Sequence, residues 1–251
     1  MRIRIWLVSF VTAGLCCVNS YGGTLAGVGV RDSAMVGLVE KWSIGVNAEW
    51  MNRDIKIGHN DQREKMESRT LELFAGYDAA NWLTVFTTIG SSAFKFSDMV
   101  EYGDNNLKFS AGLQGNIWQT DIIDPEFMAG TLTLKSVLEF SAYQVDEKDE
   151  GIDGYWMEYY FAIPVCYEIF ADKSDNLQQI PYSLVISVGP VFSFIDGDID
   201  GLSGSNSGLR GEKSVGVIGA IDIYFAHNVS IGCHVEYIDD ATIGGSLTYH
   251  F

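Results

Sequence analysis

Positive charge is scarce in this chain: Lys and Arg total 16 against 33 Asp and Glu, for a net charge of −17. Removal of Arg2 and Arg4 with an amino-terminal leader would make it −17 − 2 = −19. Such acidity excludes nucleic acid and anionic membrane surfaces as electrostatic partners. Cysteine is scarce too. Of four, Cys16 and Cys17 fall in the leader, and Cys166 and Cys233 are too few for a disulfide framework and fall on opposite faces of their strands. Beyond the leader no apolar run approaches the roughly 20 residues of a membrane-spanning helix. Helical periodicity is absent as well, so any membrane residence would have to use strands.

What is present is apolar and aromatic content, 47% and 13% of residues, with 27 glycines, which excludes disorder. Arg2 and Arg4 followed by the run Ile5 to Val18 and then NSYGG have the layout of a secretory signal peptide, Met1 to Ser20, cut after Ser20 or Gly22. Gly14 and Leu15 before Cys16 do not match a lipoprotein signal. The expected organisation is residues 1–20 as signal and 21–251 as one domain.

A period of two runs through that domain. WSIGVNAEW sets Trp42, Ile44, Val46, Ala48 and Trp50 opposite Ser43, Gly45, Asn47 and Glu49; LKFSAGLQGNI and VSIGCHVEY repeat the arrangement. WSIGVNAEW and VSIGCHVEY also share Ser-Ile-Gly and a Glu at the eighth position, a hint of repeated hairpins. About twelve strands are expected, with ten or eight as the neighbouring even counts. They are 24–30, 34–40, 42–52, 69–77, 82–96, 107–118, 131–145, 155–169, 181–195, 213–225, 229–238 and 242–251. Connections alternate between short (40–42, 78–82, 226–228) and long polar stretches (52–68, 97–106, 146–154, 196–213), although 119–130 and 171–180 are long on the short side. Trp42, Trp82, Trp118, Phe170, Phe225 and Phe251 mark one rim; Trp50, Phe94, Phe96, Tyr143, Tyr155, Trp156, Phe192, Phe194 and Tyr237 mark the other. Two such bands are expected of interfacial girdles.

The leader, the alternating strands, the rim aromatics and the final Tyr249-His250-Phe251 together resemble bacterial outer-membrane β-barrel proteins of the OmpA and porin type. That resemblance implies an all-β fold, a closed antiparallel transmembrane barrel with short periplasmic turns and longer extracellular loops, in the outer membrane of a Gram-negative cell. It implies outer-membrane lipid as surroundings. It also implies that the barrel-assembly machinery recognises the last strand through Leu247, Tyr249 and Phe251, although the family's usual glycine falls at Ser246, with Gly245 one residue early.

In a barrel of this kind the face opposite the apolar one lines a lumen. Glu49, Glu72, Lys108, Lys135, Glu139, Glu158, Glu168, Asp222, His234 and Glu236 all fall there. They either pair and fill the space or line a narrow passive pore, which the acidic excess would make cation-favouring. The two readings are a pore for small solutes and a structural or surface-contact protein whose loop partner the sequence does not identify. DGDIDG offers Asp196, Asp198 and Asp200 at calcium-loop spacing, but Ser207 stands where the bidentate Glu belongs, so a surface turn is preferred and no metal or other cofactor is expected. A lipid or peptide hydrolase at the outer rim is the alternative of another class; His59, beside Asp61 and before Ser68, is the one outer-loop histidine it could use, and no enzyme is expected.

Overall fold

The computed structural model describes residues 41–251 apart from 59–61, 98–100, 123–129, 148–150, 171–182, 202–206 and 226–227. The expected leader, the first two expected strands, His59 and His227 lie outside the described residues. The described chain is all strand: β1 (Trp42–Ile57), β2 (Gln62–Ala80), β3 (Leu83–Phe96), β4 (Asn105–Ile122), β5 (Gly130–Glu147), β6 (Ile152–Ala162), β7 (Val165–Phe170), β8 (Ser183–Asp200), β9 (Ser207–Gly211), β10 (Val215–Phe225), β11 (Val229–Tyr237) and β12 (Ala241–His250).

Every pairing is antiparallel, and the sheet closes on itself. β12 pairs with β1 from Ser43↔His250 to Trp50↔Ile243, and beyond the last pair Trp42 and Phe251 exchange both backbone hydrogen bonds, at 3.0 and 2.8 Å. The ring therefore closes through ten strands, β1, β2, β3, β4, β5, β6, β8, β10, β11 and β12, with β7 and β9 off that path. Twelve were expected; the count falls to ten because the last strand bonds directly to the one that starts at Trp42.

The two extra segments continue ring strands. β6 and β7 both lie between β5 and β8 and form one stave broken at Ile163-Pro164. Pro164 has no N–H to give to a ladder, yet its carbonyl accepts from Lys135 N at 2.9 Å and Ile163 N donates to Pro190 O at 3.1 Å, so the stave is kinked without being lost. β9 and β10 likewise both run along β8, but their second neighbours differ: β10 pairs with β11, and β9 pairs with β1. The β11–β12 hairpin is short, and β9 reaches over its tip to β1. A level near Phe251, the lower end, crosses ten staves (β1, β2, β3, β4, β5, β7, β8, β10, β11, β12). A level near Ile57, the upper end, crosses eight (β1, β2, β3, β4, β5, β6, β8, β9).

The polarity of the two faces inverts along the staves. On β1 the outward residues run Trp42, Ile44, Val46, Ala48, Trp50 and then Asn52, Asp54, Lys56; the inward ones run Ser43, Gly45, Asn47, Glu49 and then Met51, Arg53, Ile55, Ile57. Around the lower part every strand shows apolar side chains outward, among them Leu71 at 58%, Leu73 at 62% and Val188 at 58% exposure. Among the described residues no charged side chain stands on that outward belt between the level of Trp42 and that of Trp50. Above it the outward face is charged, and the inside holds a packed apolar cluster of Met51, Ile55, Ile57, Met66, Phe94, Phe96, Tyr143, Val145, Ile152, Trp156, Ile195, Ile199 and Leu209.

Two expectations change accordingly. Much of 52–68 and 196–213, expected as loop, is strand, because alternation persists there with its polarity reversed. The rim aromatics divide: Trp42, Trp50, Trp118, Tyr155, Phe194, Tyr237 and Phe251 face outward, whereas Phe94, Phe96, Tyr143 and Trp156 are buried at 5% exposure or less. Where the upper strands end, the chain turns at Gly58 and Gly201, with φ of 73° and 90°; at Gly201 a Cβ would also strike the Gly151 carbonyl.

Closure is checked by cysteines at Val46 and Leu247, which face each other across the β1–β12 seam. In a Cys166→Ser/Cys233→Ser background, oxidation of Val46→Cys/Leu247→Cys is expected to give a disulfide seen as a gel shift. An open sheet would leave both thiols free to alkylate.

Candidate functional site

Because the period is two, a strand commits its odd or even set to one face, and on β4 a bulge between Asn116 and Trp118 exchanges the two sets. All ten charged residues expected in the lumen stand on the inward face. Glu49, Glu72, Lys108, Glu139, Glu158, His234 and Glu236 line a single cavity of about 120 Å³ in mid-barrel. Lys135, Glu168 and Asp222 lie nearer the lower end, at 0%, 4% and 3% exposure.

The cavity is organised by two cations. Arg53 on β1 reaches across the barrel, its Nη2 at 3.1 Å from Glu158 Oε1 and 3.4 Å from Glu236 Oε1. Glu158 is held further by Tyr143 Oη, which donates at 3.1 Å, and by the Ser193 hydroxyl. Lys108 Nζ lies 3.3 Å from Glu72 Oε1, while Thr88 Oγ1 donates to Glu72 Oε2 at 2.6 Å and shares a 2.7 Å bond with Ser110. His234 Nε2 stands 3.6 Å from Glu49 Oε2; a Cβ on Gly244 would collide with that imidazole, so glycine there leaves room for the ring. Ser141 donates to Glu139 at 3.2 Å. Charges taken out of water are tolerated when paired and hydrogen-bonded, and these groups join β1, β5, β6, β8 and β11 around Arg53 and β2, β3 and β4 around Lys108.

Arg53, the centre of this network, is absent from the expected set, because Asn52 to Ser68 reads as a polar loop. The signal for it is DIKI: Ile55 and Ile57 keep the phase of Glu49, which places Arg53 on the same face. The repeat between β1 and β11 has a structural counterpart. The two strands flank β12, and Ser43 with Ser230, Gly45 with Gly232 and Glu49 with Glu236 all point inward.

The cavity is capped from above by the apolar cluster. Trp156 stacks on Tyr143 at 5.4 Å and meets the edge of Phe94 at 4.7 Å, and Phe96, Ile55, Ile57, Ile199 and Leu209 are exposed by 2% or less. An eight-stave barrel is about the width that side chains fill. A second apolar cluster, Phe74, Phe86, Val137, Ala162, Val191, Ile218, Ala220 and Ile238, lies along the inner wall, and Phe74, Phe86, Val137 and Ile218 border the cavity itself.

The remaining expected positions lie on the outside. Asp196, Asp198 and Asp200 alternate along the outward face of β8, where a strand spaces next-but-one residues by about 6.6 Å and does not wrap them around an ion. Among the described residues no group of three or more His, Cys, Asp or Glu is placed to hold a metal. Leu247, Tyr249 and Phe251 face outward on β12, at 53%, 45% and 50% exposure, with Tyr249 and Phe251 rings 6.1 Å apart and Asn228 donating to the Tyr249 hydroxyl at 3.1 Å. Cys166 is buried and Cys233 exposed, both as free thiols.

No protein-family model and no curated protein sequence matches this chain. Three solved structures resemble this chain at low sequence identity. The transport unit of the autotransporter AIDA-I from Escherichia coli is 10% identical over 98% of this chain and 97% of that one, with a TM-score of 0.46. An outer membrane channel from Pseudomonas putida F1 is 10% identical over 88% and 100%, with a TM-score of 0.40. Ail, the attachment invasion locus protein of Yersinia pestis, is 11% identical over 85% and 100%, with a TM-score of 0.23. At such values the chain's own pairing and burial carry what can be said of it.

Replacing Arg53 by Met leaves Glu158 and Glu236 buried without their cation, and should destabilise the barrel by about 3–5 kcal/mol in denaturant unfolding. Adding Glu158→Gln and Glu236→Gln should restore much of that loss. Equal stability of Arg53→Met and the parent protein would mean that the network does not hold the staves together.

Proposed function

We propose that this chain is an integral outer-membrane barrel that acts as a closed structural and surface-contact protein, with the apolar cluster above the cavity sealing the lumen. The observation that carries the reading is the inversion of polarity at the level of Trp50. Apolar side chains lie outside where a belt without charges surrounds the barrel, and inside where the outward face is charged. A soluble barrel has its apolar side chains within along its whole length, and an apolar surface encircling the molecule is far larger than the patches soluble monomers expose. Hydrocarbon around the belt and water around the upper part account for both halves. From Trp42 to Trp50 the apolar run is close to the roughly 9–11 residues that a tilted strand needs to cross hydrocarbon.

In this reading Trp42, Tyr77, Trp118, Tyr249 and Phe251 sit among the inner headgroups, and Trp50, Tyr155, Phe194 and Tyr237 among the outer ones. Trp50 Nε1 donates to Tyr102 Oη at 3.2 Å, Tyr102 donates to Glu67 at 3.1 Å, and the Arg69 guanidinium lies 4.0 Å from the Tyr102 ring, a cluster suited to that boundary. Leu247, Tyr249 and Phe251 present the closing strand to the barrel-assembly machinery before β12 meets β1. The lumen charges act as internal braces, and the upper strands and their connections are the part that meets partners outside the cell. A pore would require the Trp156 cluster to move aside, and the hydrolase alternative would need His59, which lies outside the described residues.

Purified folded protein in a planar bilayer is expected to give no channel events, whereas Phe94→Ala/Trp156→Gly should give discrete conductance steps. Stable openings in the parent protein would overturn the sealed reading in favour of the pore. Separately, Ile221→Arg, in mid-belt, should lower stability in lipid by about 2–4 kcal/mol, and Asp196→Arg, above it, by little. Equal effects at the two sites would contradict the placement of the membrane.

A further inference from the structure

The charged surface above the belt is sorted by sign. Arg63 on β2, Lys56 on β1 and Arg210 on β9 are direct cross-strand neighbours, and all three are on the outward face. Asp146 on β5, Asp153 on β6 and Asp200 on β8 are likewise direct neighbours on that face, with Asp196 and Asp198 next along β8. Like charges directly opposite one another in a sheet are destabilising. Partial relief comes from within the chain. Arg63 meets Glu212 at 2.7 Å, the Tyr155 hydroxyl donates to Asp198 at 3.4 Å, and Arg210 lies 3.9 Å from Asp196 with both side chains about three-quarters exposed. Neither row has a full internal counterpart among the described residues.

The rows also correspond in position. The eight upper staves run β9, β1, β2, β3, β4, β5, β6, β8, so the basic row is centred on β1 and the acidic row on β6, on faces that look in different directions. Strands in such barrels tilt by roughly 35–45°, so a hydrogen-bonded row climbs as it goes round. The row through Trp50 crosses Arg69, Ala93 and Asn105 and continues toward Asp146 and Asp153, five staves along. By that climb Asp153 stands about level with Lys56.

We propose that copies of this chain dock side by side in the membrane, the Arg63–Lys56–Arg210 row of one against the Asp146–Asp153–Asp200 row of the next. The inference rests on the membrane reading, which holds all copies upright in one plane and so brings rows of equal height together. A contact between two different faces is head-to-tail and leaves a free row at each end, so association does not stop at two.

The test uses the full mature chain folded in uncharged detergent, with chemical cross-linking and native mass spectrometry. The parent protein is expected to form dimers, trimers and higher species at low salt that are lost at high salt. Lys56→Glu/Arg63→Glu/Arg210→Glu should be monomeric, as should Asp146→Lys/Asp153→Lys/Asp200→Lys, while an equal mixture of the two should regain oligomers. A folded, detergent-dependent parent protein that stays monomeric at low salt would overturn the docking alone, as would association unchanged by either reversal. So would a basic row that instead binds phosphatidylglycerol micelles without association of the chain. A protein that stays soluble without detergent would overturn the membrane reading itself.

Discussion

Closure of the sheet between β12 and β1 is the constraint on which the rest of this molecule depends. In the membrane setting proposed for the belt, backbone amides have no water to bond, so a strand edge left open there would cost several kcal/mol per group. The Trp42–Phe251 exchange completes the last pair of that seam, and once the ring is closed every strand has one face that must suit the surroundings and one that must suit the interior. Period-two alternation serves both needs at once, because the same residues that hold the pairing also separate the two faces.

The interior is then solved differently at different heights. Where the outside is apolar, the interior mixes polar and charged side chains with the apolar cluster around Phe74 and Val137, and the cavity bridges Arg53 across the ring to Glu158. Where the outside is charged, the interior is packed hydrocarbon around Trp156. The change in width supports the second solution. The short β11–β12 hairpin removes two staves, β9 takes their place against β1, and the narrowed upper barrel can be filled by ordinary side chains. The Pro164 kink and the short β9 are thus parts of one shape, ten staves tapering to eight.

Much of this is written plainly in the sequence. Glu49, Glu72, Glu158 and Glu236 sit in strict alternation with Ala48, Leu71, Met157 and Val235, and that pattern puts them together on the face opposite the apolar one; that this face is the inner one comes from the barrel resemblance. The hidden part is the place where the meaning of the alternation changes. Ile55 and Ile57 have the same phase as Glu49, but flanked by Asp54 and Lys56 they read as an outer loop, and Arg53 was hidden with them. Phe94, Phe96, Tyr143 and Trp156 stand close to a rim, where aromatics suit a girdle as well as a core; only the register, which places them on the inward face, separates the two. The count of ten depends on which strand β12 meets, a long-range pairing that local periodicity does not encode.

Placement of the tryptophans tests the inversion most directly. In single-tryptophan variants reconstituted into bilayers of lipids brominated on their acyl chains, Trp42 and Trp50 should be strongly quenched. Trp156, although packed within the apolar cluster inside the barrel, should keep its fluorescence. Quenching of Trp156 with Trp42 and Trp50 unaffected would contradict the account.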